Sequence, residues 1–138
     1  MKKVYTAHSK HNFYAKKIVS AYVLEKDLMP LNPFMNWDYF LDDLVERDIV
    51  RNANGELLKM SDELWQFGEI SDGCYQEIMT ALDRKMPIKF FTVGGKLEDI
   101  KPITDYEKLV FEKDVSKIER EKLIDKIGDW ALAFASQK

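Results

Sequence analysis

Residues 61–91, which read SDELWQFGEISDGCYQEIMTALDRKMPIKFF, carry the pattern that decides the predicted fold. The run ELWQF is short, apolar and rich in β-forming aromatics, and Gly68 follows it, so it predicts a strand. The Ser-Asp-Gly that starts at Ser71 supplies side-chain oxygens able to cap the first amides of a helix, which ends before Pro87. Ile88–Val93 is the next predicted strand. A strand–loop–helix–strand unit of this kind joins parallel strands by a right-handed crossover.

The flanking sequence extends this unit in both directions. Hydrophobic periodicity and turn residues predict a strand, a helix, a strand, a helix and a turn before it, and a charged helix after it: Lys3–Ala7, Phe13–Lys26, Leu28–Leu31, Asn36–Arg51, Asn52–Gly55 and Val115–Phe134. Tyr106–Phe111 is either a last edge strand or the start of a helix. This order predicts an α/β fold, a three-layer sandwich around a four- or five-stranded parallel sheet of the flavodoxin or Rossmann type.

Composition limits the class of protein. With 138 residues and 46% hydrophobic content, the chain predicts one compact domain, with residues 1–95 as its core and residues 96–138 as an extension. The net charge of −3 gives no basic face for nucleic acid, and no apolar run approaches the length of a membrane span. The single cysteine, Cys74, excludes an internal disulfide, and no signal peptide is recognisable, so we expect a cytoplasmic protein.

Polar residues follow the predicted strands at the edge where ligands of parallel sheets bind. The candidates on position alone are Tyr5, Ser9, Asn32, Ser71 with Gly73, and Glu77. Each has an ordinary structural explanation as well: a tyrosine in a strand is usually core, Ser-Asp-Gly is usually a helix cap, and an early glutamate offsets the helix dipole. The two histidines near Ser9 lack partners at ligand spacing, so neither a metal site nor a cofactor is expected.

Three short motifs combine these candidates. They are V-Y-x-x-x-S, which contains Tyr5 and Ser9, Glu46-Arg47-Asp48 before the third strand, and S-x-G-x-x-x-E, which contains Ser71, Gly73 and Glu77. Over Lys3 to Thr92 the chain resembles the nucleoside 2-deoxyribosyltransferase family, in particular its branch of nucleotide N-glycoside hydrolases. The segments LMPLNPFMNWDYFLDD and DELWQFGEISDG also resemble an uncharacterised, often phage- or mobile-element-associated subgroup of that superfamily.

The resemblance implies a role for each residue. Glu77 stands where the family has its nucleophile, and Tyr5 where a tyrosine hydrogen-bonds that carboxylate and the sugar. Asp48 stands where a carboxylic acid assists departure of the base, and Ser9 and Ser71 stand at phosphate-contacting positions. The family loop after strand one is rich in glycine and arginine, whereas here it reads HSKHN. Either Lys10 and His11 replace that arginine, or phosphate binding has been lost.

Two functions of different classes follow. The first is cleavage or transfer of the N-glycosidic bond of a nucleoside or nucleoside monophosphate, and the alternative is a non-catalytic nucleotide-binding domain with the same pocket. An aromatic set could stack on a base or cover the core: Phe34, Trp37, Tyr39 and Phe40. The apolar stripe of the last helix predicts a homodimer, with packing on its own sheet as the competing account: Ile118, Leu123, Ile127, Trp130 and Phe134.

Overall fold

A computed structural model describes residues 1–136, except for the side chains of Tyr39 and of residues 132–136. The strands are β1 (Lys3–His8), β2 (Met29–Leu31), β3 (Glu63–Phe67), β4 (Ile88–Phe91) and β5 (Pro102–Ile103). The helices are α1 (Lys16–Leu24), α2 (Pro33–Leu41), α3 (Arg47–Lys59), α4 (Asp72–Asp83) and α5 (Lys117–Ser136). Within the described residues, no helix is both long enough and apolar enough to cross a bilayer.

The predicted α/β class is confirmed, with a central five-stranded sheet in the order β2-β1-β3-β4-β5. The first four strands are parallel, and β1 lies between β2 and β3, so Tyr5 pairs with Leu31 on one side and Leu64 on the other. The edge strand β5 runs antiparallel to β4. Its connection from β4 is too short to hold a crossover helix, and parallel strands need one. Thr92 fastens this return by accepting from the Lys101 amide and donating to the Asp99 carbonyl.

The predicted helix Asn36–Arg51 and the predicted turn Asn52–Gly55 are both wrong. Asn32 caps α2 through hydrogen bonds from Phe34 and Met35, and positive φ angles through Asp42 and Asp43 end that helix. Residues 52–55 lie inside α3. Its buried side chains recur at helical spacing, and burying that stripe outweighs the poor helix propensity of Asn and Gly: Val50, Leu57 and Leu58.

Both faces of the sheet are covered. Helix α1 packs its Val19 and Val23 on one face, whereas α3, α4 and α5 enclose a larger core on the other. Leu123 and Ile127 of α5 are fully buried in that core, while Ile118 is 78% exposed. Two members of the predicted apolar stripe of α5 are therefore covered by the chain itself, whereas Ile118 is open to solvent. Phe134 lies outside the described side chains, and the homodimer stays a prediction.

Candidate functional site

A tyrosine–glutamate pair lies between β1 and the helix that follows β3. Tyr5 is on β1, fully buried, and its hydroxyl donates a hydrogen bond to Oε2 of Glu77 on α4. The two residues are 72 positions apart in sequence. They meet because α4 crosses over the sheet between the parallel strands β3 and β4 and packs on β1. The pairing required by the resemblance is therefore present in the fold.

The environment of this pair changes its proton affinity. Burial raises the pKa of Glu77 to about 7, while the hydrogen bond from Tyr5 acts in the opposite direction. Burial and the nearby Glu77 charge raise the pKa of Tyr5 well above its ordinary value of 10.0, so the hydroxyl keeps its proton and remains a donor. Glu77 is therefore divided between its acid and its carboxylate near neutral pH.

A cavity of about 1290 Å³ opens beside the pair at the carboxyl edge of the sheet. Its lining includes most of the predicted site residues: Tyr5, Ser9, His11, Ser71, Gly73 and Glu77. Cys74 also contributes to the lining, and burial raises the pKa of its thiol to about 12. That thiol therefore keeps its proton near neutral pH and is a poor nucleophile.

Asn32 does not line the cavity but contacts His8, which does. Its Oδ1 caps α2, which turns its Nδ2 toward Nε2 of His8 at 3.1 Å. Nε2 must therefore accept, and Nδ1 carries the proton that is donated to the Ser9 carbonyl at 3.3 Å. Burial lowers the pKa of His8 to about 4, so the ring is neutral, and it stacks on Phe34. His8 lines the cavity, which the sequence analysis did not anticipate.

Asp48 is not brought to the cavity. Its side chain is 86% exposed on the first turn of α3, where it accepts from Arg51 at 2.8 Å. The stripe of α3 that contains Val50 faces the core, and Asp48 projects away from it. Asp48 matches the acidic position of the family motif in sequence, but α3 places its carboxylate in solvent.

The two serines expected to contact phosphate already have hydrogen-bond partners within the chain. Ser71 Oγ accepts from the Cys74 amide at 3.2 Å, and Ser9 Oγ accepts from the His11 amide at 3.1 Å. The Asp72 amide donates to Asp114 Oδ2 at 3.3 Å. Both serines therefore act as caps and retain one hydroxyl proton each, and a carboxylate already occupies the amino end of α4.

Comparison with known proteins places the chain in a family. Residues 2–91 match the family described as a domain of unknown function, DUF7768. The chain belongs to the DUF7768 family. No curated protein matches the sequence.

A solved structure shares the fold. It is a 2-deoxyribosyltransferase from the psychrotolerant bacterium Bacillus psychrosaccharolyticus, described as a suitable biocatalyst for the industrial synthesis of antiviral and antitumoral nucleosides. The match has a TM-score of 0.53 at 17% sequence identity, and it covers 85% of this chain and 90% of that one. At this identity the likeness establishes the common α/β architecture alone.

Part of the cavity lies outside the DUF7768 match. That match ends at Phe91, yet the segment Val110–Asp114 lines the cavity and approaches α4. Phe111 forms a parallel bridge with Ile70, directly before the cap of α4. All the predicted site residues lie within residues 1–95, and the segment Val110–Asp114 is an addition to them. Its signal in the sequence was the alternative assignment of Tyr106–Phe111 as an edge strand.

The aromatic residues of α2 both line the cavity and contact α3. Phe34, Trp37 and Phe40 all line the cavity, and Trp37 donates to Asn54 Oδ1 at 2.7 Å. The guanidinium groups of Arg47 and Arg51 lie over the ring of Phe40. These contacts hold α2 against α3 while leaving ring surface on the cavity side. The side chain of Tyr39 lies outside the description.

Proposed function

We propose that this protein cleaves or transfers the N-glycosidic bond of a nucleoside or nucleoside monophosphate, with Glu77 as nucleophile. The observation that carries the proposal is the hydrogen-bonded pair of Tyr5 and Glu77 on the wall of a large cavity. A carboxylate with a pKa near neutrality, held by one donor and partly buried on the wall of a cavity, is suited to attack an anomeric carbon.

The chemistry needs two steps. The Glu77 carboxylate attacks the anomeric carbon as the carbon–nitrogen bond breaks, and the bonding electron pair leaves with the base. The transition state has oxocarbenium character, which the adjacent negative charge stabilises. Water or a second base then attacks the glycosyl ester and releases Glu77. Tyr5 fixes the carboxylate that attacks by donating to its other oxygen.

The cavity also suits the ligand class. Its volume of about 1290 Å³ exceeds the roughly 300–1000 Å³ typical of small-molecule pockets, so it has room for a nucleoside and an acceptor. Phe34, Trp37 and Phe40 offer ring surface on which a base can stack. The shared fold with a 2-deoxyribosyltransferase supports the same proposal, although a fold alone does not fix a reaction.

The test is release of free base from a panel of nucleosides, deoxynucleosides and their monophosphates. We expect wild-type protein to release base, and Glu77→Gln to release none while still binding ligand, because the amide preserves shape and cannot form the ester. Glu56→Gln is the matched control, since Glu56 is exposed on α3 and pairs with Lys59. Thermal unfolding of each variant confirms that it is folded.

Three outcomes are informative. Full turnover by Glu77→Gln would remove this residue from the chemistry. Wild-type protein that binds a nucleotide yet releases no base from the whole panel would show a non-catalytic binding domain. Loss of activity in Glu56→Gln as well would point to a general effect of the substitution rather than to the cavity.

A further inference from the structure

Five carboxylates of the described residues line the cavity, and solvent reaches them to very different degrees. Glu69, Asp72 and Asp114 are exposed, whereas Glu77 and Glu112 are largely shielded. Cleavage of a glycosidic bond uses two carboxyl groups in one site, one as nucleophile and one as proton donor. Burial thus distinguishes Glu112 from the three exposed carboxylates as a candidate for the role that the exposed Asp48 does not fill.

The carboxylate of Glu112 has His11 at ion-pair distance, but its buried oxygen is not hydrogen-bonded within the described residues. Only 13% of the side chain is exposed, and its Oε1 lies 3.9 Å from His11 Nε2, too far for a hydrogen bond. Its Oε2 is buried and has no hydrogen-bond partner in the described part of the chain. A buried oxygen of this kind is costly unless it holds a proton or meets a donor from outside the chain.

The backbone holds Glu112 in a fixed place despite the open cavity. Its amide donates to the Ile70 carbonyl at 2.9 Å, and the Ile70 amide donates to Val110 at 2.9 Å. On the other side, Arg120 of α5 donates to the Glu112 and Val115 carbonyls at 3.2 and 3.0 Å. Glu112 is therefore anchored between the entry to α4 and the body of α5, so its unpaired oxygen is a feature of an ordered segment.

We propose that Glu112 is a catalytic residue that protonates the departing base. This inference rests on the proposed function of Glu77. As the carbon–nitrogen bond breaks and its electron pair moves to the base, the carboxylic acid of Glu112 gives its proton to a base nitrogen and becomes a carboxylate. When water attacks the glycosyl ester, that carboxylate takes one proton of the water, so Glu112 regains its acid form and Glu77 its charge.

Two substrates that differ in their need for a proton provide the test. A purine nucleoside releases its base most readily when the base is protonated, whereas the cationic N7-methylated base of its N7-methyl derivative leaves as a neutral molecule without one. Base release in the first turnover is measured by rapid quench for wild type, Glu112→Gln and Glu107→Gln. Glu107 is exposed, outside the cavity lining and five residues before Glu112 in sequence.

For Glu112→Gln we expect release of the ordinary base to slow by about 10²- to 10⁴-fold. Release of the methylated base should stay within a few-fold of wild type, and Glu107→Gln should match wild type on both. An equal loss on both substrates, or no loss on either, would overturn the role of Glu112 while leaving that of Glu77 intact. The purine nucleoside is chosen from those that the panel shows to be cleaved, and wild-type protein that releases no base from the whole panel would overturn both proposals together.

Discussion

Glu77 is a single residue on which two opposing influences act. Burial favours its neutral acid, and the donated hydrogen bond of Tyr5 favours its carboxylate. The resulting pKa of about 7 means that a modest change in either influence alters the ionised fraction at neutral pH. The pair therefore sets the pH range in which the proposed nucleophile is available.

Removing the hydroxyl of Tyr5 should shift that range. In Tyr5→Phe the ring still fills the core, but Glu77 loses the hydrogen bond that lowers its pKa. We expect the acidic limb of the kcat/KM–pH profile to move to higher pH. The rate at neutral pH should fall about 10- to 100-fold, the worth of a hydrogen bond to a charged group. The measurement is a pH–rate profile with Tyr14→Phe, an exposed tyrosine, as control; an unmoved limb would contradict the account.

The same residue should make the fold less stable in alkali than in acid. Because the pKa of Glu77 rises from 4.5 in the unfolded chain to about 7 in the folded one, the folded state binds its proton more tightly. The stabilisation is full below pH 4.5 and is lost as pH rises through 7, a change on the order of 3 kcal/mol. Thermal unfolding between pH 4 and pH 9 should show this loss in wild type and a smaller one in Glu77→Gln. Parallel curves would refute it.

At the scale of elements, α3 shows how tertiary contacts override local signals. Asn-Ala-Asn-Gly is typical of a turn, yet Asn54 accepts from Trp37 of α2, and the neighbouring Leu57 and Leu58 are buried. Gly55 gains nothing from its flexibility there, because it sits in regular helix with open space where a Cβ would be. Gly68, by contrast, has a φ of +77°.

Alanine at these two glycines should have opposite effects on stability. Gly55→Ala should raise the free energy of unfolding by about 0.5–1 kcal/mol, since glycine costs that much in a helix interior. Gly68→Ala should lower it by at least about 1–2 kcal/mol, because alanine resists positive φ and its Cβ would lie 2.7 Å from Asn12 and Val93 atoms. Urea denaturation measures both. A destabilised Gly55→Ala would show that residues 52–55 are a turn after all.

Local chemistry explains which elements and site residues could be predicted from the sequence. The cap at Ser71, the strands β1, β3 and β4 and the meeting of Tyr5 with Glu77 depend on short motifs and on the geometry of parallel sheets. The exposure of Asp48 depends on the rotation of α3, and the position of Glu112 on a bridge to Ile70, 42 residues away in sequence. The helical periodicity of α3 is masked by the turn-like Asn52–Gly55, and the position of Glu112 leaves no local signal, so both emerge only from the tertiary structure.

For the molecule as a whole, the residues after 95 complete both the sheet and the core. Strand β5 pairs with β4, and α5 contributes Leu123 and Ile127 to the core shared with α4. The same helix holds Glu112 at the cavity through Arg120. The predicted extension is thus part of the folding unit and of the site.

Truncation of one α5 side chain should therefore weaken the whole fold. Leu123→Ala should lower the free energy of unfolding by about 2–5 kcal/mol, because it removes a fully buried side chain and leaves a cavity. Ile118→Ala, one and a half turns earlier and exposed, should change it little. Chemical denaturation compares the two. Equal, small effects would show that α5 does not pack on α4.

The proposed function depends most on the covalent step at Glu77, and trapping the glycosyl ester formed in that step is the most direct measurement. A nucleoside with fluorine at C2′ of its sugar disfavours the oxocarbenium-like transition state, so the slowed second step should let the glycosyl ester accumulate. Intact-protein mass spectrometry should then show a gain equal to the fluorinated sugar, and peptide mapping should place it on Glu77. Tyr5→Phe should label more slowly, and Glu77→Gln not at all. Continued base release with no adduct, or an adduct on another residue, would contradict the account.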